Sequence, residues 1–151
     1  MSPSHFRELE VWQLAMKLAK TVYHLTRTFP SAERFGLASQ LQRSAVSVPS
    51  NIAEGNGRGG TREYQRFVSI AQGSIAELQT QLILADELEF GDPAVVQEAL
   101  ALCDRVGQML QRLNQALRRR LQSESRVPSP QSRSPGSDRS PSLQSRVPSP
   151  D

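Results

Sequence analysis

The stretch LASQLQRSAVSVPSNIAEGNGRGG, from Leu37 to Gly60, decides the fold. Leu37, Leu41, Ala45, Val48 and Ile52 recur at helical spacing and make one apolar line. Pro49 lies inside that line. It has no N–H to give to the carbonyl of Ala45, and its ring crowds that turn. Propensity alone would end the helix at Val48. Ile52 and Ala53 carry the apolar line past the proline, so the sequence predicts a helix that kinks at Pro49 and resumes. Gly55, Gly57, Gly59 and Gly60 then stop it. Arg43, Ser47, Asn51, Glu54 and Arg58 recur every three or four residues and share a face. Ser44, Ala45 and Ser47 are small enough to admit a neighbouring helix closely.

Upstream, a first helix is expected from about Glu8 to Phe29. Leu14, Leu18, Val22 and Leu25 form its stripe. Val11, Ala15, Ala19 and Tyr23 widen it, and Trp12 and Met16 extend it further. Such breadth suits packing against a second subunit; the alternative is that Trp12 covers the bundle end. Pro30 closes the helix. Ser31 is the expected cap of the second helix, with Glu33 in its first turn.

Downstream, a third helix is expected from near Thr61 to about Phe90. Tyr64, Phe67, Val68, Ala71, Ile75, Leu78, Leu82 and Ala85 give its apolar face, broadened by Leu84 and Leu88. Gly73 is read as a place where another helix comes close. Asp92 caps a fourth helix with Pro93 in its first position. That helix runs to about Leu121 and buries Val95, Ala99, Leu102, Val106, Met109, Leu113 and Leu117. Cys103 beside this stripe reads as a small buried hydrophobe. Four long helices with short connections predict an all-α, antiparallel up-down-up-down four-helix bundle with a proline-kinked second helix.

The bundle domain is assigned to residues 1–122. Residues 123–151 hold ten Ser and six Pro with no aromatic residue, and read as a disordered Ser/Pro/Arg-rich tail. Ser-Arg-Val-Pro-Ser-Pro occurs there twice, at 125–130 and 145–150. The tail is read as a solvated extension, with weak RNA contact or Ser-Pro phosphorylation as the functional alternatives.

The chain of 151 residues carries a net charge of +3. That permits nucleic-acid binding without arguing strongly for it. One cysteine excludes an internal disulfide framework, which points to a reducing compartment and to the cytoplasm. No signal peptide is expected, and no apolar run is long enough for a membrane span.

Chemistry is sparse. His5 and His24 are the only histidines. There is no Glu-Xaa-Xaa-His pair, no HExxH and no paired cysteine, so no metal is expected. The glycines at 55–60 lack the Gly-Lys-Ser/Thr ending and the preceding strand of a phosphate loop, so no cofactor is expected. Ser44, Ser47 and Ser50 have no base partner. Glu54 has two readings: a surface pair with Arg58, or a member of a buried network with Asn51. No second acid or nucleophile partners it, and no catalytic residue is assigned.

The basic candidates are Arg58, Arg62 and Arg66 around the second turn, and Arg118, Arg119 and Arg120 on the fourth helix. Antiparallel topology places both sets at one end of the bundle, where they could meet phosphates. The plainer alternative is a solvated end with cations complementing a helix dipole.

Several of these residues carry a family resemblance. Phe6, Leu9, Val11, Trp12 and Ala15 open it, and Phe29-Pro30, Glu33 and Leu37 continue it. Its most specific segment is Gln40-Leu41 followed by Arg43-Ser44-Ala45-Val46-Ser47-Val48-Pro49-Ser50-Asn51-Ile52-Ala53-Glu54-Gly55. Glu63, Phe67, Ala71, Ser74 and Glu77-Leu78 complete it. The chain resembles the small four-helix bundle proteins encoded by intervening sequences in bacterial 23S ribosomal RNA genes, from residue 5 to about 118. That family looks related to the accessory variability protein of diversity-generating retroelements, which binds nucleic acid.

The resemblance implies a kinked second helix, a homopentamer, no enzymatic activity, and an RNA-related role. Family members often have Ser where this chain has Gly60. The capping box with Glu63 is therefore half lost, and Thr61 is the alternative cap. Function is accordingly expected to be a non-enzymatic oligomeric bundle that binds RNA or another nucleic acid. The alternative is a protein-interaction or scaffolding oligomer with a protein partner and no nucleic-acid affinity.

Overall fold

A computed structural model of the chain describes residues 5–126. Helix α1 spans Glu10–Thr26, α2 Leu37–Gly57, α3 Thr61–Glu87 and α4 Pro93–Arg126. Short 3₁₀ turns at Phe6–Glu8 and Ser31–Glu33 precede α1 and α2. No strand occurs among the described residues.

The side chains that meet across helices show the antiparallel order. Ser44, Ser47 and Gly55 of α2 face Gln81, Ser74 and Phe67 of α3, so one numbering rises as the other falls. Gln79 and Gln72 of α3 likewise meet Asp104 and Asn114 of α4. Phe29 after α1 packs against Phe90 before α4, with ring centroids 5.7 Å apart and the planes tilted by 55°. The chain is a four-helix bundle, consistent with an up-down-up-down arrangement.

Helix α2 continues without interruption through Pro49, and the proline itself is buried. The missing N–H of Pro49 costs one helical hydrogen bond. Burial of Val48 and Ile52 on either side offsets it, as the apolar line predicts. The glycine stop needs correction, because Gly55 and Gly57 lie inside the helix.

The start of α2 also differs from expectation. Ser31 belongs to the 3₁₀ turn, where its carbonyl accepts from Arg34 N–H. The helix begins six residues later, after Gly36. The Glu33 carboxylate accepts from the Leu37 N–H at 3.3 Å and serves the exposed donors in place of Ser31. Helix α1 is shorter than expected at its C-terminal end. After Thr26 its backbone tightens into turns, with Thr28 and Phe29 N–H donating to Leu25 and Thr26 carbonyls.

Helix α3 begins at Thr61 with Gly60 as an N-cap that offers no side-chain acceptor. Thr61 does not shift the cap; its hydroxyl donates to Glu124 on α4 instead. The helix closes in a Schellman turn. Phe90 N–H reaches the Ala85 carbonyl at 2.9 Å and Glu89 N–H the Asp86 carbonyl at 3.0 Å. Glu89 occupies the left-handed position there, with φ 59°. Asp92 caps α4 as predicted, accepting from Ala94 N–H at 2.9 Å. Helix α4 runs to Arg126 rather than Leu121, because good helix formers continue and no proline intervenes. The rest of the expected tail lies outside the described residues.

The core joins all four helices. Leu18, Val22, Leu41, Ile52, Leu78, Leu82, Val106 and Leu110 are among its fully buried side chains. On α4 the buried face is turned from the expected one. Val96, Ala99, Leu102, Cys103, Val106, Leu110, Asn114 and Leu117 point inward, while Val95, Met109 and Leu113 are half-buried. On α1, Leu14 is only half-buried and Tyr23 is exposed. On α3, Leu84 and Leu88 are exposed, because both sit on the side of the helix away from Leu78, Leu82 and Ala85.

Gly73 is exposed too, with nothing near the place of its absent β-carbon. The close approach is at Gly55. A β-carbon there would sit 2.7 Å from Cβ of Phe67 and 3.3 Å from Cδ1 of Tyr64.

Candidate functional site

Two polar regions interrupt the apolar packing. The first lies between α2 and α3. Ser44 Oγ donates to the Gln81 side-chain oxygen at 2.8 Å, and Gln81 donates in turn to Glu77 at 3.3 Å. The Ser47 and Ser74 hydroxyls are 2.8 Å apart. Asn51 Nδ2 donates to both the carbonyl and the hydroxyl of Ser47, at 2.7 and 3.0 Å. This seam uses Asn51 and Ser47 of the quoted stretch but not Glu54. The Glu54 carboxylate is exposed and takes Arg58 at 2.7 Å, so of its two readings the surface pair holds. Arg43 is exposed and stands apart, beside a groove with Tyr23, Ser39, Gln42, Val46 and Ser47.

The second polar region lies between α3 and α4. Asn114 is buried. Its Oδ1 accepts from Gln65 at 3.0 Å, and its Nδ2 donates to Gln72 at 2.7 Å and to Ser69 at 3.5 Å. Gln65, Ser69 and Gln72 recur along one face of α3, so three polar side chains reach one buried amide. No buried polar side-chain atom among the described residues lacks a partner. Sequence reasoning missed Asn114, Gln65, Ser69, Gln72 and Gln81. The matching polar periods on α3 and α4 were the available signal.

One arginine of α4 meets the α2–α3 turn. Arg120 of α4 shares a shallow depression with Gly55, Asn56, Gly59, Gly60, Thr61 and Tyr64 of the α2–α3 turn. The Thr61–Glu124 hydrogen bond, at 3.2 Å, ties the same two segments. Three glutamates are interleaved there. Arg58 pairs with Glu54, Arg66 with Glu63 at 3.4 Å, and Glu124 meets Thr61. The Arg58 guanidinium is held above its ordinary range, first by the hydrogen bond to Glu54 and then by its charge.

Arg58 and Arg66 both lie against the Phe67 ring, 5.4 and 4.7 Å from its centroid. Arg62 makes no ion pair among the described residues. Arg118 points into a different groove, with Gln72, Gln111, Asn114 and Gln115. Arg119 bonds back to the Gln115 carbonyl at 3.4 Å. Of the six predicted arginines, Arg120 is thus brought to the α2–α3 turn, and Arg58 and Arg66 share the Phe67 ring, whereas Arg118 and Arg119 turn elsewhere.

Cys103 is buried as expected, and burial followed by the nearby Asp104 charge pushes its thiol up to about 12. Among the described residues, no group of three or more His, Cys, Asp or Glu side chains is placed to hold a metal. No described helix is long and apolar enough to cross a membrane.

Residues 7–112 match the family model for the 23S rRNA-intervening sequence protein. The match includes Arg58, Arg62 and Arg66 and ends before Arg118. No curated protein matches the chain at a significant level of similarity.

Proposed function

We propose a nucleic-acid-binding role for this chain, which belongs to the 23S rRNA-intervening sequence protein family. The proposed protein is a non-enzymatic, cytoplasmic oligomer that holds structured RNA by its phosphates. One observation carries the reading: Arg120 of α4 lies beside the α2–α3 turn, which is flanked by Arg58, Arg62 and Arg66. Cations from segments about sixty residues apart are thereby gathered at one end. Guanidinium groups match phosphate oxygens in charge and geometry. The resemblance to the accessory variability protein of retroelements supports the same partner class and a pentamer.

Oligomerisation is supported by exposed apolar side chains. Tyr23, Phe35, Val46, Ile70, Ile83, Leu84 and Leu88 are between 41 and 89 % exposed in the single chain. A ring of five copies would repeat each arginine end and raise affinity by multivalency. The second reading, a scaffolding oligomer with a protein partner, rests on these same apolar residues.

A mobility-shift assay of the full chain with structured RNA over a salt series tests the proposal. Binding that weakens steeply with salt is expected. Alanine at Arg58, Arg62 and Arg66 together should lower the salt slope by roughly 0.9 for each phosphate that is no longer neutralised. Circular dichroism of the variant controls for folding, since two of these arginines pack on Phe67. Absence of binding at low salt would remove the nucleic-acid role and leave the scaffolding reading. Light scattering measures the number of copies directly.

A further inference from the structure

The groove between α3 and α4 is lined by Gln72, Gln111, Asn114, Gln115 and Arg118. Four amides and one guanidinium line it, and no apolar side chain does. On α4 the four groove residues recur at helical spacing, one turn after another. Asn114 is fully engaged, and its Nδ2 takes up the Gln72 carbonyl oxygen at 2.7 Å. The Gln72 amide nitrogen has no hydrogen-bond partner among the described residues, and neither do the side chains of Gln111 and Gln115. Gln72, held by Asn114, keeps its amide donor free, and Gln111 and Gln115 keep both donor and acceptor turned toward solvent. The groove holds about 250 Å³, enough to admit a planar ring. Arg118 borders it, directly before Arg119 and Arg120 at the basic end of the bundle.

We infer that this groove takes the edge of an unpaired base of single-stranded nucleic acid, adenine in preference, whose phosphates lie on the arginine end. A carboxamide presents a donor and an acceptor side by side, which matches the N6 donor and N7 acceptor of adenine. An arginine plane supplies a stacking surface for a base that has left its helix. The inference rests on the proposed nucleic-acid role and adds a base-recognition site to it. Phosphate contacts position a strand without reading it, whereas the amide row distinguishes a base from a bare backbone.

The experiment compares oligoadenylate with an abasic phosphodiester chain of the same length, using the full-length protein. Gln111→Ala combined with Gln115→Ala is the informative variant, because both side chains are exposed and neither serves the core. The natural protein is expected to bind oligoadenylate roughly tenfold more tightly than the abasic chain. The double variant should lose that preference while keeping the same salt slope.

Equal affinity of the natural protein for both chains overturns the inference and leaves phosphate binding intact. No binding of either chain overturns the inference, while the role beneath it stands or falls by the structured-RNA assay. A changed oligomer size in the double variant, with base preference retained, makes the groove a subunit interface and also overturns it.

Discussion

Gly55 on α2 lies so close to Phe67 on α3 that a β-carbon on the glycine would sit 2.7 Å from that of the phenylalanine. Both residues are buried, and the nearest opposing atom is next to the α3 backbone, not at a flexible side-chain end. Alanine in a helix is ordinarily favoured over glycine by up to about 1 kcal/mol. Here the helices must separate to admit a methyl group. Gly55→Ala is expected to destabilise the bundle by about 1–3 kcal/mol, read from the midpoint of urea unfolding. Gly73→Ala, at an exposed site with no neighbour, is expected to stabilise it. Equal effects would show that the helix packing is looser than this geometry.

Asn114 makes a second tight prediction. Its amide joins Gln65, Ser69 and Gln72, so truncation removes several bonds at once. Asn114→Ala should cost about 1–3 kcal/mol in the same assay. When Gln72→Ala is introduced into the Asn114→Ala background, it should add little further cost, because the pair acts as one unit. Additive losses would show that the two side chains act independently.

These two sites mark what was legible in the sequence and what was not. Periodicity located four helices and carried α2 across Pro49, and the Asp92-Pro93 pair placed the cap of α4, because each rests on residues within one segment. Gly55 and Gly73 look alike in sequence. Which of them meets a neighbour depends on how α2 and α3 are rotated, and only packing sets that. Asn114 sits in the α4 phase of Val106, Leu110 and Leu117, but a lone polar residue argues against burial until Gln65 and Gln72 supply partners from α3. Ser31 resembles a cap in sequence because the intervening 3₁₀ turn, which lets Glu33 reach Leu37, has no periodic signature. That the end of α4 meets the α2–α3 turn was legible from topology. The Glu124 interleaved there was not, since the composition around that residue is that of the tail.

Glu89 occupies the left-handed position that closes α3, where glycine is the usual residue. The β-carbon costs roughly 1–2 kcal/mol in that conformation. Glycine removes the clash but raises the entropy of the unfolded chain. Glu89→Gly is therefore expected to stabilise the bundle by up to about 1 kcal/mol, seen as a higher urea midpoint. A lower midpoint would mean that the glutamate side chain contributes more than its backbone strain costs.

Glu54 competes with any phosphate for Arg58. The two side chains are 2.7 Å apart, and both are about half exposed. Glu54→Gln keeps the shape and removes the charge. Within the proposed role, RNA affinity at low salt should rise a few-fold, and the salt slope should steepen by as much as roughly 0.9. The mobility-shift assay reads both. An unchanged slope would place Arg58 outside the RNA-binding surface, leaving Arg62 and Arg66 to be tested singly.

Cys103 gives the bundle an alkaline limit. Its folded thiol is pushed up to about 12 from an ordinary 9.0, because burial disfavours the thiolate. Below pH 9.0 both folded and unfolded chains keep the proton, and the contribution to stability is constant. Above it the unfolded chain sheds the proton first. The folded state then binds more protons than the unfolded state, so stability falls with rising pH, by at most about 1.4 kcal/mol per pH unit from this group. Cys103→Ala lacks that slope. The stability difference between the natural protein and the variant should stay level at neutral pH and shift in favour of the variant as pH rises through this interval, measured by urea unfolding at each pH. The same burial should keep the thiol unreactive toward a maleimide until the bundle opens, so that labelling follows unfolding. Parallel pH curves, or labelling as fast as in a free thiol, would show that Cys103 is open to solvent in the folded protein.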